Sequence, residues 1–191
     1  TRGEHLYDSI MVVSYDPPTN SVQMVSVPRD SASFPLYYGG QVDTAFRINS
    51  LPTNVRAGFK SPDDPYPTLV KEVGYLVGIP INYYAIMDLG GFVKMVDMVG
   101  GIDVYNQAAI NDSVYDWLGA KPGYGFYLSA GPHHLDGIDA LAYVRSRHGA
   151  DNSDWARASR QQEVLVDLLH KMAQPSQVLA LPDLISTLGS S

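Results

Sequence analysis

Residues 135–162 have the sequence LDGIDALAYVRSRHGADNSDWARASRQQ, which combines a short apolar segment with a cluster of arginines. Four arginines lie within sixteen positions: Arg145, Arg147, Arg157 and Arg160. The chain as a whole has a net charge of −7, so positive charge is concentrated locally. Because like charges repel one another, such a cluster indicates a bound anion or paired carboxylates.

Two elements are predicted within this stretch. Period-2 alternation over residues 143–147 predicts a short strand with Arg145 and Arg147 on one face. A helix is expected to follow the next turn, with Ser153 as its N-cap. One stripe of that helix, at spacing i, i+3, i+4, i+7, consists of Arg157, Arg160, Gln161 and Val164. A second stripe is predicted to face the core and consists of Trp155, Ala158, Leu165, Leu169 and Met172.

The arginines predict an anion site. Arginine in the first turns of a helix lies near the positive end of the macrodipole, which costs a few tenths to about 1 kcal/mol. The planar guanidinium grips phosphate with two parallel hydrogen bonds, so the simplest ligand is a pyrophosphate. The alternative is a solvated basic face paired with surface carboxylates.

Five ordered motifs resemble those of the LytR-CpsA-Psr family, and the resemblance runs from Thr1 to about Met172. They are Asp8-Ser9-Ile10-Met11, Val25-Ser26-Val27-Pro28-Arg29-Asp30, Arg47-Ile48-Asn49, Val99-Gly100-Gly101-Ile102-Asp103-Val104, and the stretch 135–162. Members are extracytoplasmic, magnesium-dependent enzymes that transfer glycopolymers from a polyprenyl-pyrophosphate carrier to the cell wall. The resemblance therefore implies a phosphotransferase whose partners are that carrier-linked glycopolymer and a peptidoglycan hydroxyl.

The resemblance also assigns roles to residues. It implies that Arg29, Arg145 and Arg147 are catalytic arginines and that Asp8 is a ligand of Mg²⁺. The pyrophosphate-binding set that it implies is Arg29, Arg47, Arg145, Arg147, Arg157, Arg160 and Gln161. No general base is evident. Two alternatives stay open: a module that binds the glycolipid without transfer, and a hydrolase that cleaves the pyrophosphate.

Family members typically begin with a strand that ends in Gly-x-Asp, whose carboxylate is a second metal ligand. Thr1-Arg2 resembles the residues directly after it, so we expect that strand upstream and weak magnesium binding without it. The resemblance also implies a domain at the extracytoplasmic face of the membrane, held by an upstream transmembrane helix. The chain itself contains no apolar run of about 18 residues.

Composition narrows the function classes. A length of 191 residues fits one domain, predicted as residues 1–172 with a tail, 173–191, that contains a short amphipathic segment at 178–188. Cysteine is absent, which excludes disulfides, thiol nucleophiles and thiolate metal sites. The acidic balance, with a pI of about 5.0, argues against a nucleic-acid partner.

Elsewhere, apolar patterns predict alternating strands and helices. Strands are predicted at 9–15 and 21–27, which form a hairpin, and at 81–87 and 102–105. Helices are predicted at 67–77, with an apolar stripe that faces the core, and at 88–98, capped by Asp88 and closed by a left-handed turn at Gly100-Gly101. A hairpin is expected around 126–129, and a short helix or turn followed by a long loop within 43–64. Asp112, Asp116 and Trp117 are expected in a surface loop, with the lining of a cleft as the alternative. His133-His134 is not expected to bind metal. The predicted fold class is a layered α/β/α domain with a central mixed sheet flanked by helices.

Overall fold

The computed structural model describes residues 9–19, 21–35, 37, 42–53, 66–117, 121, 123–148 and 153–174. The chain divides into two compact units, Thr1–Ala85 and Ile86–Ser191. The described residues form eight β-strands and four α-helices, which confirms the α/β class. All described strand pairs are antiparallel and two-stranded: β1 with β2, β3 with β4, β5 with β8 and β6 with β7. Asp8, residues 54–64 of the predicted loop and the segment 178–188 lie outside the described residues.

The first unit begins with the predicted hairpin, in which Ile10 faces Val27 and Asp16 faces Ser21. Its elements are β1 (Ile10–Asp16), β2 (Ser21–Val27), β3 (Ala32–Pro35), β4 (Val42–Arg47), a 3-10 helix (Ile48–Thr53) and α1 (Tyr66–Val77). Its buried core consists of Val12, Val27, Phe34, Ile48, Leu51, Leu69 and Val73. The apolar stripe predicted for α1 thus supplies two of these core residues, and the helix prediction is confirmed.

The strand predicted at residues 81–87 does not form. These residues have no regular structure, and Tyr83 is 91 % exposed. Their aromatic and β-branched composition favours an extended backbone, but a strand also needs a hydrogen-bonded neighbour. No described strand pairs with this segment, so its composition alone does not produce a strand.

The second unit contains the remaining elements. They are α2 (Leu89–Met98), β5 (Ile102–Asn106), β6 (Ile110–Asp116), β7 (Tyr124–Leu128), β8 (Gly131–Leu135), α3 (Gly137–Arg145) and α4 (Asp154–Met172). Asp88 caps α2 as predicted, because its side chain accepts a hydrogen bond of 2.6 Å from the Gly91 N–H. Gly100 and Gly101 follow with φ of 82° and 87°, the left-handed turn that was predicted there.

Helices α2 and α3 approach each other closely at a glycine. A Cβ added to Gly137 would clash with the Val93 carbonyl group. This contact joins α2 and α3 above a core that includes Val96, Ile102, Tyr143 and Val164.

Helix α4 begins after Ser153 as predicted, since the Ser153 side chain accepts a hydrogen bond of 3.1 Å from the Ala156 N–H. The predicted core stripe is only partly correct, because Met172 packs against a buried cluster on α2 and α4, whereas Trp155 is 86 % and Leu169 41 % exposed. The buried residues are Val164 and Leu168, which continue the arginine stripe. The face that carries Arg157, Arg160 and Gln161 therefore faces inward. Among the described residues, none of the helices combines the length and the hydropathy that a membrane span requires.

Candidate functional site

The predicted strand at residues 143–147 is a helix end. Helix α3 continues to Arg145, and Ser146 follows as its C-cap with φ −55° and ψ 136°. Arg145 thus lies in the last helical turn, where a cation is favourable, and Arg147 lies beyond the helix. The strand prediction was wrong because Ala140, Tyr143 and Val144 are buried with the spacing of a helix. Over only five residues, helical spacing of apolar residues cannot be distinguished from the alternation of a strand.

Two residues of α4 cap the end of α3. Arg160 donates from Nε to the Tyr143 carbonyl at 2.9 Å and from Nη2 to the Ser146 carbonyl at 2.6 Å. Gln161 donates from Nε2 to the Val144 carbonyl at 3.3 Å. These carbonyls belong to the last turn of α3, whose acceptors have no partner within the helix. Arg160 and Gln161, both predicted as pyrophosphate ligands, therefore hold α3 against α4.

A carboxylate that the sequence placed on a surface loop is buried beside this junction. Asp112 lies on β6 and is 3 % exposed. Its Oδ2 accepts hydrogen bonds from Ser146 Oγ at 2.9 Å and from the Arg147 N–H at 3.1 Å. Its Oδ1 is buried with no hydrogen-bond partner in the described part of the chain. The available signal was the alternation Ile110, Asp112, which places both residues on the inner face of β6.

Arg145 lies near an aromatic cluster on β6 and β7. The rings of Tyr115 and Trp117 are 5.1 Å apart, and those of Trp117 and Phe126 are 5.6 Å apart. Burial raises the pKa of the Tyr115 hydroxyl, while the charge of Arg145 and a hydrogen bond to it oppose this increase. Arg145 is half-buried and Arg147 is exposed.

A second, partly buried network of hydrogen bonds supports α3. The Tyr143 hydroxyl donates to Glu163 Oε2 at 2.9 Å, and the other carboxylate oxygen accepts from the Tyr105 N–H at 2.6 Å. Burial, followed by the hydrogen bond to Glu163, raises the pKa of Tyr143 well above its usual range. This network ties β5, α3 and α4 together.

Arg157 lies one turn before Arg160 on α4. Its Nη2 forms an ion pair of 2.9 Å with Asp154 Oδ1, and its side chain is only 15 % exposed. The carboxylate of Asp154 is 79 % exposed, so the pair connects an inward-facing guanidinium to the surface.

The first unit carries the other two predicted arginines around one carboxylate. Asp30 lies 2.8 Å from Arg47 Nη1 and 3.6 Å from Arg29 Nε, each measured from a carboxylate oxygen. The backbone supports this turn, because the Asn49 N–H donates to the Arg29 carbonyl at 3.2 Å. Arg29 is largely buried, with 21 % of its side chain exposed, whereas Arg47 is 66 % exposed.

Two further predictions concern metal ligands. Asp8, the predicted magnesium ligand, lies outside the described residues, and those residues contain no cluster of three or more His, Asp or Glu side chains arranged to hold a metal ion. His134 Nδ1 instead lies 2.7 Å from Asp103 Oδ1. A hydrogen bond from Lys171, and then one from His134, lowers the pKa of Asp103.

Residues 2–191 match the model of the LytR_cpsA_psr family. The chain belongs to the LytR-CpsA-Psr family. It is 28 % identical over 183 residues to the polyisoprenyl-teichoic acid–peptidoglycan teichoic acid transferase TagU of Bacillus anthracis, covering 95 % of this chain and 52 % of that protein. It is 30 % identical over 175 residues to TagV of Bacillus subtilis, described as the same transferase, covering 90 % of this chain and 40 % of that protein. The chain thus spans about half the length of the curated relatives it matches.

Solved structures agree with the family assignment. The crystal structure of B. subtilis TagV has a TM-score of 0.71 at 28 % identity, covering 97 % of this chain and 65 % of that one. The crystal structure of B. subtilis TagU has a TM-score of 0.66 at 26 % identity, covering 96 % and 69 %. The family resemblance of the five motifs is thereby confirmed.

Proposed function

We propose that the chain carries the phosphotransferase domain of an enzyme that moves a glycopolymer from a polyprenyl-pyrophosphate carrier to a peptidoglycan hydroxyl. The observation that carries this proposal is the α3–α4 junction. Arginines of the family motif lie there on a backbone that is held by hydrogen bonds to side chains of β6 and α4. The names of TagU and TagV support the same chemistry. The enzyme would act at the extracytoplasmic face of the membrane, anchored by a transmembrane helix elsewhere in the full-length protein.

The arginines differ in the roles that we assign to them. Arg29, Arg145 and Arg147 bind the pyrophosphate and stabilise the charge that develops as the bond to the carrier phosphate breaks. Arg47 and Arg157 have weaker roles, in which their positive charge attracts the pyrophosphate. Arg160 and Gln161 contribute mainly by holding the end of α3, since their donors contact its carbonyl groups.

Magnesium is part of the proposal, with Asp8 as one of its ligands. When bound, Mg²⁺ would neutralise charge on the phosphate oxygens of the substrate and leaving group. The described residues supply no further candidate ligand cluster, so no role assigned above depends on the metal ion.

The proposal is tested with Arg145→Ala and Arg147→Ala, measured for binding of undecaprenyl pyrophosphate and for transfer of polymer to peptidoglycan. Each variant loses a charge-assisted contact of about 1.5–3 kcal/mol, so affinity should fall roughly 10- to 150-fold. Lys94→Ala is the matched control, because Lys94 is an exposed cation on α2 of the same unit.

Thermal unfolding of the same variants separates binding from folding. Unchanged affinity together with a large loss of stability would show that the two arginines are structural. Magnesium-dependent release of undecaprenyl phosphate without an acceptor would identify a hydrolase. Tight binding with neither transfer nor hydrolysis would identify a binding module.

A further inference from the structure

We propose that Asp112 is a positioning residue of the pyrophosphate site, which fixes the backbone of the turn that carries Arg147. This inference rests on the proposed function and extends it to a residue outside the family motifs quoted above. Asp112 would not touch the substrate, because its side chain is buried and its Oδ2 already accepts two hydrogen bonds.

The contacts of Asp112 converge on one short turn. Helix α3 ends at Arg145, and the extended ψ of 136° at Ser146 directs the chain away from the helix axis. A single carboxylate oxygen, Asp112 Oδ2, binds both the Ser146 hydroxyl and the Arg147 N–H. The backbone from which the Arg147 side chain extends is therefore held by β6, a strand far away in sequence.

The same turn is held from its other side by α4. Arg160 Nη2 donates to the Ser146 carbonyl, while Asp112 accepts from the N–H of the same peptide group, that of Arg147. One peptide unit is thus fixed at both its C=O and its N–H by side chains of two different elements. Such double fixation limits rotation of the peptide and pre-organises Arg147 before any ligand binds.

The burial of the carboxylate argues for this specific role. Burying a carboxylate is costly, and its cost rises when an oxygen lacks a hydrogen bond, as Oδ1 does among the described residues. An apolar residue on the inner face of β6 would avoid that cost but could not hold the turn. A carboxylate also repels a phosphate, so Asp112 is suited to act through Arg147 rather than to contact the ligand.

The experiment measures the affinity for undecaprenyl pyrophosphate in Asp112→Ala, Arg147→Ala and the double variant. If Asp112 acts through Arg147, the Asp112→Ala change should weaken binding at least fivefold in the otherwise unchanged protein. In the Arg147→Ala background the same change should weaken binding less than twofold, because the positioned group is already absent.

Two further variants separate hydrogen bonding from charge and from packing. Asp112→Asn keeps an accepting oxygen, so it should bind within about threefold of the unchanged protein, given that the proposed role needs an acceptor rather than a charge. Ser146→Ala removes one of the two hydrogen bonds but leaves that to the Arg147 N–H, and should also bind nearly normally. If Asp112→Ala does not fold, Asp112→Leu, which fills the space but accepts no hydrogen bond, takes its place.

The outcomes distinguish this inference from the proposed function. Equal losses of affinity in both Arg147 backgrounds would overturn positioning through Arg147. Weak binding by Arg147→Ala together with normal binding by Asp112→Ala would overturn only the role of Asp112. Normal binding by both Arg145→Ala and Arg147→Ala would instead overturn the proposed pyrophosphate site.

Discussion

The two units use arginine in contrasting ways. In the first unit Arg47 is 66 % exposed and shares the half-exposed carboxylate of Asp30 with Arg29. In the second unit Arg160 directs two guanidinium nitrogens onto backbone carbonyls at the end of α3. One group is a surface ion pair and the other an internal cap, although both belong to motifs of the same family.

This contrast has an energetic consequence. An exposed ion pair stabilises a protein by roughly 0–1 kcal/mol, because water screens the charges and both side chains lose freedom. Hydrogen bonds from a charged group to backbone acceptors contribute about 1.5–3 kcal/mol each, and their loss leaves carbonyls without partners. Variants in the two units should therefore differ in whether they change folding or ligand binding.

The largest effect on stability is expected for Arg160→Ala. It removes two hydrogen bonds to α3 and should lower the free energy of unfolding by about 3 kcal/mol. Arg147→Ala is the matched control within the same stretch, because Arg147 is exposed and its replacement should change stability by less than about 0.5 kcal/mol. Urea unfolding of both variants measures the difference.

Binding data sharpen the same comparison. Arg147→Ala should lower the affinity for undecaprenyl pyrophosphate without lowering stability. The main effect of Arg160→Ala should instead be a lower free energy of unfolding. If Arg160→Ala folds as stably as the unchanged protein, the cap assigned to Arg160 is wrong and its predicted role as a phosphate ligand gains support.

A smaller effect is expected for Tyr143→Phe. The change removes the hydrogen bond to Glu163 at 2.9 Å and should cost about 1–1.5 kcal/mol near neutral pH. The raised pKa adds a dependence on pH, because the folded protein keeps the Tyr143 proton where the unfolded chain loses it. Stability from this group is complete below the unfolded pKa of about 10 and declines as pH rises above it.

The pH dependence is measured as the difference in unfolding free energy between the two proteins from pH 8 to about 11. The gap between the unchanged protein and Tyr143→Phe should narrow above about pH 10. A constant gap over the whole range would show that the folded structure does not raise the pKa of Tyr143. Tyr83→Phe is the control, since Tyr83 is 91 % exposed.

Local signals in the sequence predicted the helix starts and the first hairpin. Asp88 and Ser153 act as N-caps, and Gly100-Gly101 adopts the left-handed turn, because these features depend on residues within one helical turn. The β1–β2 hairpin likewise joins strands that are adjacent in sequence.

The errors arose where distant residues decide the structure. A different stripe of α4 was predicted to face the core, but the stripe that contains Arg160 faces inward, because the end of α3 supplies carbonyl acceptors. The polar composition of its segment favoured a surface loop for Asp112. The residue is nevertheless buried, and two donors at the end of α3 offset part of the free-energy cost of burying its carboxylate. Residues 81–87 have the composition of a strand but no described partner strand. The sequence of one chain does not show which distant residues contact one another.

The smallest stability effect is expected for Asp30→Asn in the first unit. The exposed pair with Arg47 contributes at most about 1 kcal/mol, so the free energy of unfolding should change by less than that. If Arg29 and Arg47 bind the pyrophosphate as proposed, Asp30 competes with it for them, and removal of Asp30 should strengthen binding of undecaprenyl pyrophosphate about two- to fivefold at low salt. Asp16→Asn is the control, since Asp16 is an exposed carboxylate of the same unit that accepts a hydrogen bond from the Thr19 hydroxyl. Weaker binding by Asp30→Asn would show that Asp30 orients the two arginines rather than competing with the ligand, and the contrast between a surface pair and a fixed cap would then not hold for the first unit.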